Sequence, residues 1–190
     1  METNFETLYN NIEEYRSFRE DKNKELEYQI WTNWKVNNLI NILEKGIVFN
    51  NVMEVGCAFG VVVNKFAKRC NIQKIIGLDI AIANTTHGER MFPNIKFITG
   101  TIDKENLLLE SGINDNKFDL IILCDIIEHV PDELEFMKKI KKIAKYVVID
   151  LPLEKSKANK NRNYGVNDIS GHLRSYDLND GLNLLKEAGF

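Results

Sequence analysis

Val52-Met53-Glu54-Val55-Gly56-Cys57-Ala58-Phe59-Gly60 decides the fold of this chain. An apolar run ends in an acid, breaks into small residues, and is followed at once by a helix-like segment, Val61 to Cys70. Strand, small-residue turn and helix in that order let backbone approach a nucleotide-like ligand closely. Gly56 permits the tight turn, Ala58 keeps the crevice open, and Gly60 lets the helix start against the strand. The spacing is G-x-A-x-G, not the dinucleotide G-x-G-x-x-G, and no Lys-Ser/Thr follows as in a phosphate-binding loop. Glu54, just before the turn, suits a cationic or hydrogen-bond-donating ligand better than a pyrophosphate.

Two further apolar runs end in acids. Lys74-Ile75-Ile76-Gly77-Leu78-Asp79 reads as the second strand, one βα unit on. An acid at that tip is placed to accept hydrogen bonds from ribose hydroxyls. Phe118 to Cys124 continues into Asp125-Ile126-Ile127-Glu128-His129-Val130. Outward from these, the chain alternates short Val/Ile-rich runs with amphipathic segments. Strands are predicted at 51–55, 74–79, 95–99, 118–124 and 146–151, and helices at 60–70, 82–91, 103–111, 132–144 and 177–188. That alternation implies an α/β, doubly wound, mostly parallel sheet, with any ligand at the carboxyl ends of the strands, where Glu54, Asp79 and Asp125 sit.

Phe5 to Lys45 holds no Pro or Gly, and Leu26, Ile30, Trp34, Leu39, Ile42 and Leu43 recur at near-helical spacing. Two helices are predicted, roughly 4–18 and 22–45, with Gly46 as the stop. The chain thus divides into a helical cap, 1–46, and an α/β domain, 47–190.

Composition sets outer limits. At 190 residues, 44% hydrophobic and 28% charged, one soluble domain is expected. The net charge of −3 gives no global attraction to nucleic acid. Cys57, Cys70 and Cys124 form no CxxC, and two lie in apolar segments, which suits reduced thiols in a cytoplasmic protein. The N-terminus is acidic without an apolar core, unlike a signal peptide, and no apolar run is long enough to span a membrane.

The three segments in this order resemble the class I S-adenosylmethionine-dependent methyltransferases, a likeness running from about Val52 to Phe190. The resemblance implies a Rossmann-like fold and S-adenosylmethionine as cofactor. It places the methionine part at Gly56, Cys57 and Ala58, with Glu54 shaping the turn and Gly60 opening the helix. Asp79 takes the ribose hydroxyls and Ile80 packs on the adenine. The adenine amino group falls to Thr101, to Asp103 or to the Ile102 amide, although Asp103 reads equally well as a helix N-cap before Lys104-Glu105-Asn106. In such proteins a helical preface often covers the cofactor and lines the acceptor pocket. Tyr15, Tyr28, Trp31 and Trp34 could supply that wall, but the plainer reading packs them as a layer on the sheet.

Asp125, Glu128 and His129 follow the fourth strand, beside the expected sulfonium. His172, in Ser170-Gly171-His172-Leu173-Arg174-Ser175-Tyr176, is the first candidate for general base. The set Asp125-x-x-Glu128-His129 with distant His172 also resembles the metal set of small-RNA 2′-O-methyltransferases. That likeness implies Mg²⁺ or Mn²⁺ on Asp125, Glu128, His129 and His172, although similar segments occur in metal-free relatives. The loop Leu153 to Tyr164 carries four cations and, with Arg174, would suit an anionic acceptor; a solvated loop is the plainer reading.

The leading expectation is O-methylation of a small polar acceptor, of a phosphorylated or sugar type. An RNA ribose 2′-O-methyltransferase and a non-catalytic cofactor-binding partner subunit are the alternatives. The resembling family carries two further strands in a C-terminal hairpin. Here five strands are counted, so either the hairpin is missing or strand 146–151 is covered by something else. An open edge of that kind invites association, as in a homodimer.

Overall fold

The computed structural model describes residues 13–113, 117–165, 168 and 170–190, with side chains from Arg16 onward. Two helices lead, α1 (Glu13–Glu20) and α2 (Lys22–Asn41). The body follows as β1 (Asn51–Val55), α3 (Val61–Cys70), β2 (Lys74–Asp79), α4 (Ile82–Met91), β3 (Lys96–Thr99), α5 (Leu107–Ser111), β4 (Phe118–Cys124), a 3₁₀ turn at Ile127–His129, α6 (Glu133–Ile143), β5 (Ala144–Asp150) and α7 (Leu178–Glu187). All four pairings are parallel, and the strand order is β3-β2-β1-β4-β5. The order reverses between β1 and β4, which opens a crevice above their carboxyl ends.

Both faces of the sheet are covered, which is why β4 is buried at all seven positions. The two-residue period sorts its side chains. Leu120 and Ile122 join Val52, Val63, Phe66, Val36 and Leu39 on the face covered by α2 and α3. Ile121 and Leu123 join Met53, Phe136, Met137 and Ile140 on the opposite face. Each such side chain contributes about 1.5–3 kcal/mol of burial, so the central strands are the most stable part of the sheet.

Helix starts follow side-chain caps. Asp21 accepts from the amides of Asn23 and Lys24, Asp132 accepts from Glu135, and Asp177 forms a capping box with Asp180. The five strands stand where the sequence put them, with three shifted ends: β3 begins at Lys96, and β5 runs Ala144–Asp150, starting early because α6 yields directly into it. Three boundaries differ more. Residues 4–12 of the first predicted helix lie outside the described residues, and α1 continues past 18 to Glu20. Helix α2 ends at Asn41, four residues short of the predicted stop, because the chain tightens when the Leu43 amide turns back to the Ile40 carbonyl. Helix α5 starts only at Leu107, since Asn106 stands in the left-handed region at φ 61° and breaks a helix from 103.

Candidate active site

A cavity of about 260 Å³ opens above the carboxyl ends of β1, β2 and β4. Six of the residues anticipated for the cofactor line it: Gly56, Asp79, Ile80, Thr101, Ile102 and Asp125. The other four, Glu54, Cys57, Ala58 and Gly60, stand behind that wall and build it. The Gly56 and Cys57 amides both donate to the Leu78 carbonyl, at 2.8 and 3.1 Å. Gly56 has φ 71°, and a Cβ there would meet Ile126 at 2.8 Å. At Gly60, φ 84°, a Cβ would come within 2.6 Å of Phe97, so the helix start and the sheet touch only because the side chain is absent.

Asp79 braces this turn from the neighbouring strand. Its Oδ2 accepts from the Ala58 amide at 2.8 Å, and its Oδ1 accepts from the Ala81 amide at 2.9 Å and Asn84 Nδ2 at 3.2 Å. Burial raises its pKa to about 6 against the lowering effect of those donors. Ala58 sits at φ 47°, a conformation that costs an L residue about 1–2 kcal/mol, and the Asp79 bond holds it there. Glu54 Oε2 accepts from the Val63 amide at 3.0 Å, in the first turn of α3. Burial is the first reason that its pKa rises to about 8. Asp103 lines the cavity rim and pairs with Lys139 at 2.7 Å; it caps no helix.

The far side of the site is built differently. The ligand atoms of Glu128, His129 and His172 lie within 4.8 Å of one another. Glu128 is 1% exposed, and neither of its carboxyl oxygens has a hydrogen-bond partner among the described residues. Burial, followed by the carboxylates of Asp125 and Glu154, pushes its pKa to about 8. His129 Nδ1 lies 3.0 Å from the Gly171 carbonyl, which fixes the proton on that nitrogen and leaves Nε2 as an acceptor. Burial and the neighbouring His172 pull the His129 pKa down to about 4, so the ring is neutral at pH 7. His172 Nδ1 lies 2.6 Å from Glu154 Oε2, and its Nε2 lies 4.0 Å from Glu128 Oε1. The rings of the two histidines meet edge to face, 4.8 Å apart.

The loop after β5 is stapled over this cluster. Arg162 bridges Glu154 and Asp168, each at 2.7 Å, the His172 amide donates to Asp168, and the Leu173 amide donates to the Glu128 carbonyl. Three of the five cations expected to meet an anionic acceptor are engaged within the chain, and Lys157 and Lys160 stand exposed. Arg162 is paired as just described, Lys155 meets Asp180 at 3.1 Å, and Arg174 meets Glu133 at 3.1 Å and the Val130 and Pro131 carbonyls.

Asp125 takes no part in the Glu128 cluster; it pairs with Lys35 at 2.7 Å. Lys35, Glu154 and Asn84 are the site residues that sequence reasoning missed. For Lys35 a signal existed: with Thr32, Val36 and Leu39 it forms the buried stripe of α2, spaced i, i+3, i+4, i+7. Trp31 and Trp34 are 49% and 46% exposed, not packed on the sheet, whereas Tyr28 stacks on Phe59 at 5.0 Å. The side chain of Tyr15 lies outside those described.

A profile of the methyltransferase domain matches residues 17–190. The chain belongs to the methyltransferase-domain family. Among curated proteins, it is 29% identical over 109 residues to the mitochondrial ubiquinone biosynthesis O-methyltransferase of Dictyostelium discoideum, a match covering 50% of this methyltransferase and 32% of that protein. The chain therefore spans about a third of the length of that curated relative. Among solved structures, magnesium protoporphyrin IX methyltransferase from Synechocystis, with S-adenosylhomocysteine bound, superposes with a TM-score of 0.68 at 14% identity, over 98% of this chain and 88% of that one. A Haloferax volcanii methyltransferase complexed with the Trm112 activator gives 0.68 at 14% identity, over 94% and 76%. At these identities the structures establish the Rossmann-like methyltransferase fold. No helix among the described residues is long and apolar enough to cross a membrane.

Proposed function

We propose that this methyltransferase transfers the methyl group of S-adenosylmethionine to a hydroxyl oxygen of a small acceptor, with a divalent cation held by Glu128, His129 and His172. The observation that carries the reading is the pair of unpartnered Glu128 oxygens, buried between two imidazoles that each present Nε2. Buried carboxyl oxygens without partners are costly, by about 1–3 kcal/mol, and a cation is the group they fit. The outer contacts match a ligand set as well: each histidine is fixed through Nδ1 by a carbonyl or a carboxylate, the arrangement that orients metal-binding imidazoles. Oxygen and nitrogen donors without thiolate favour Mg²⁺, Mn²⁺ or Fe²⁺. When bound, such a cation supplies Lewis acidity that lowers the pKa of an acceptor hydroxyl.

The residues of the crevice fit the cofactor. Asp79 lines the cavity, and its carboxylate, which already accepts from the Ala58 and Ala81 amides, would take ribose hydroxyls on its remaining lone pairs; the Gly56 turn would admit the methionine end, with Ile80, Thr101 and Ile102 around the base. The cofactor supplies an electrophilic methyl on a sulfonium with a neutral leaving group, so this chain need only align the acceptor and take its proton. His172, held through Nδ1 by Glu154, would offer Nε2 to the cation, and the acidified hydroxyl would then lose its proton to water; without a cation the same Nε2 is the candidate proton acceptor. The internal pairing of Lys155, Arg162 and Arg174 reduces the cationic surface for a phosphorylated acceptor to Lys157 and Lys160, both exposed on that loop, and so counts toward neutral hydroxylic acceptors.

The test is release of S-adenosylhomocysteine across neutral phenols, catechols and sugars, each assayed with Mn²⁺ and with a chelator. Turnover of a hydroxylic acceptor that stops on chelation supports the reading. Turnover indifferent to chelation removes the cation from it, and turnover only of amines removes the oxygen acceptor.

A further inference from the structure

Lys35 is a lysine buried to 4% exposure, on a helix that precedes the whole α/β body. Its ammonium lies 2.7 Å from Asp125 Oδ2 and 2.6 Å from Asp150 Oδ2, and so joins α2 to the tips of both β4 and β5. Trp31 and Trp34 flank the same nitrogen, with ring centroids 5.0 and 5.1 Å away. Asp125 lines the crevice with its backbone in the left-handed region, φ 48°. A non-glycine residue persists there only where its surroundings over-determine it. Two contacts do so: the Asp125 amide donates to the Asp150 carbonyl at 3.0 Å, and Lys35 holds the carboxylate. One turn earlier α2 is fastened separately to α3, where Lys65 donates to Thr32 and Asn33.

We propose that Lys35 is a positioning residue that sets the Asp125 wall of the cofactor crevice, so that docking of α2 and formation of the crevice are one event. This rests on the crevice being the S-adenosylmethionine site. One ammonium balances two acids on adjoining strand tips. Without it, Asp125 and Asp150 repel each other and the strained backbone at 125 loses its side-chain anchor. Asp125 then leaves the geometry that the methionine end of the cofactor meets. A methionine of similar length would fill the same space, so Lys35→Met separates the charge from the packing.

Calorimetric titration of S-adenosylhomocysteine into four full-length proteins tests this, with thermal unfolding recorded for each. Lys35→Met is expected to weaken affinity by at least about tenfold, the order of effect seen when one partner of a buried charge pair is removed. Asp150→Asn alone is expected to stay within about threefold, because Lys35 keeps Asp125. In Lys35→Met/Asp150→Asn the repulsion is gone and affinity recovers most of the loss, a non-additivity that a packing role would not give. Should Lys35→Met fail to fold, Lys35→Arg, which keeps the charge, and Lys35→Gln, which removes it, give the same comparison: affinity is expected to hold in the first and to fall in the second. Normal uptake by the unchanged protein with Lys35→Met equal to it, or losses that simply add in the double variant, would overturn the proposal while leaving the crevice reading intact. No uptake by the unchanged protein would overturn both.

Discussion

On the β1–β2–β3 side of the crevice the chain occupies its own acids: Asp79 is taken by the Ala58 and Ala81 amides and by Asn84, and Glu54 by the Val63 amide. On the β4–β5 side the Glu128 carboxyl has no hydrogen-bond partner among the described residues, and His129 and His172 are each held through Nδ1. The first region is a finished scaffold whose polar groups hold a turn. The second is a set of ligand-type side chains assembled by long-range contacts around a buried carboxyl without a hydrogen-bond partner. Stability therefore resides in the first and ligand demand in the second, and variants in the two regions should move stability in opposite directions.

The sharpest break in that contrast is Glu128→Leu. It should reduce turnover by about 10²-fold or more, the scale expected when a ligand or proton-handling group is lost. Yet it should raise the stability of the cation-free protein by about 1 kcal/mol, since an unpaired buried carboxyl disappears. Urea unfolding beside an activity assay checks both; a destabilised Glu128→Leu would mean that the carboxyl is satisfied. Asp79→Ala should do the reverse of this on stability, costing about 2–3 kcal/mol through the orphaned Ala58 and Ala81 amides, and should weaken S-adenosylhomocysteine binding at the same time. Gly60→Ala follows, at about 1–3 kcal/mol, from the contact forced on Phe97 and the left-handed φ, with the crevice residues themselves unchanged.

The smallest effect is one of pH. The Asp79 pKa is raised to about 6 by burial. Between the ordinary carboxylate range and pH 6 the folded chain holds a proton that the unfolded chain has released, so this group's contribution to stability falls as pH rises through that window. Affinity for S-adenosylhomocysteine should move oppositely, strengthening as pH rises through about 6, because ribose hydroxyls need the carboxylate as acceptor. Titrations at pH 5, 6 and 7 measure it, and an affinity flat across that range would remove Asp79 from the ribose site.

The same contrast explains what could be read in the chain beforehand. Gly56, Asp79 and Glu54 act through neighbours a few residues or one βα unit away, and such local patterns are written in the sequence: the strands and the crevice wall were legible. His129 and His172 were legible as candidates because few residue types do that chemistry. Their tethers were not, since Glu154 and Asp168 reach His172 only through the folding of the loop after β5. Lys35 escaped for a similar reason: it meets Asp150 across 115 residues of chain, and a lysine on a helix reads by default as surface. Leu26, Ile30 and Trp34 looked like the packed stripe of α2 but are exposed, because the polar pair Thr32 and Lys35 joins Val36 and Leu39 on the buried side.

The central claim is that the β4–β5 side is built for a divalent cation. Calorimetric titration of Mn²⁺ into the protein saturated with S-adenosylhomocysteine tests it most directly. One site per chain, abolished in Glu128→Ala and in His172→Ala while S-adenosylhomocysteine affinity is retained, is the predicted result. No uptake of Mn²⁺ by the unchanged protein, or uptake that survives both substitutions, would contradict it.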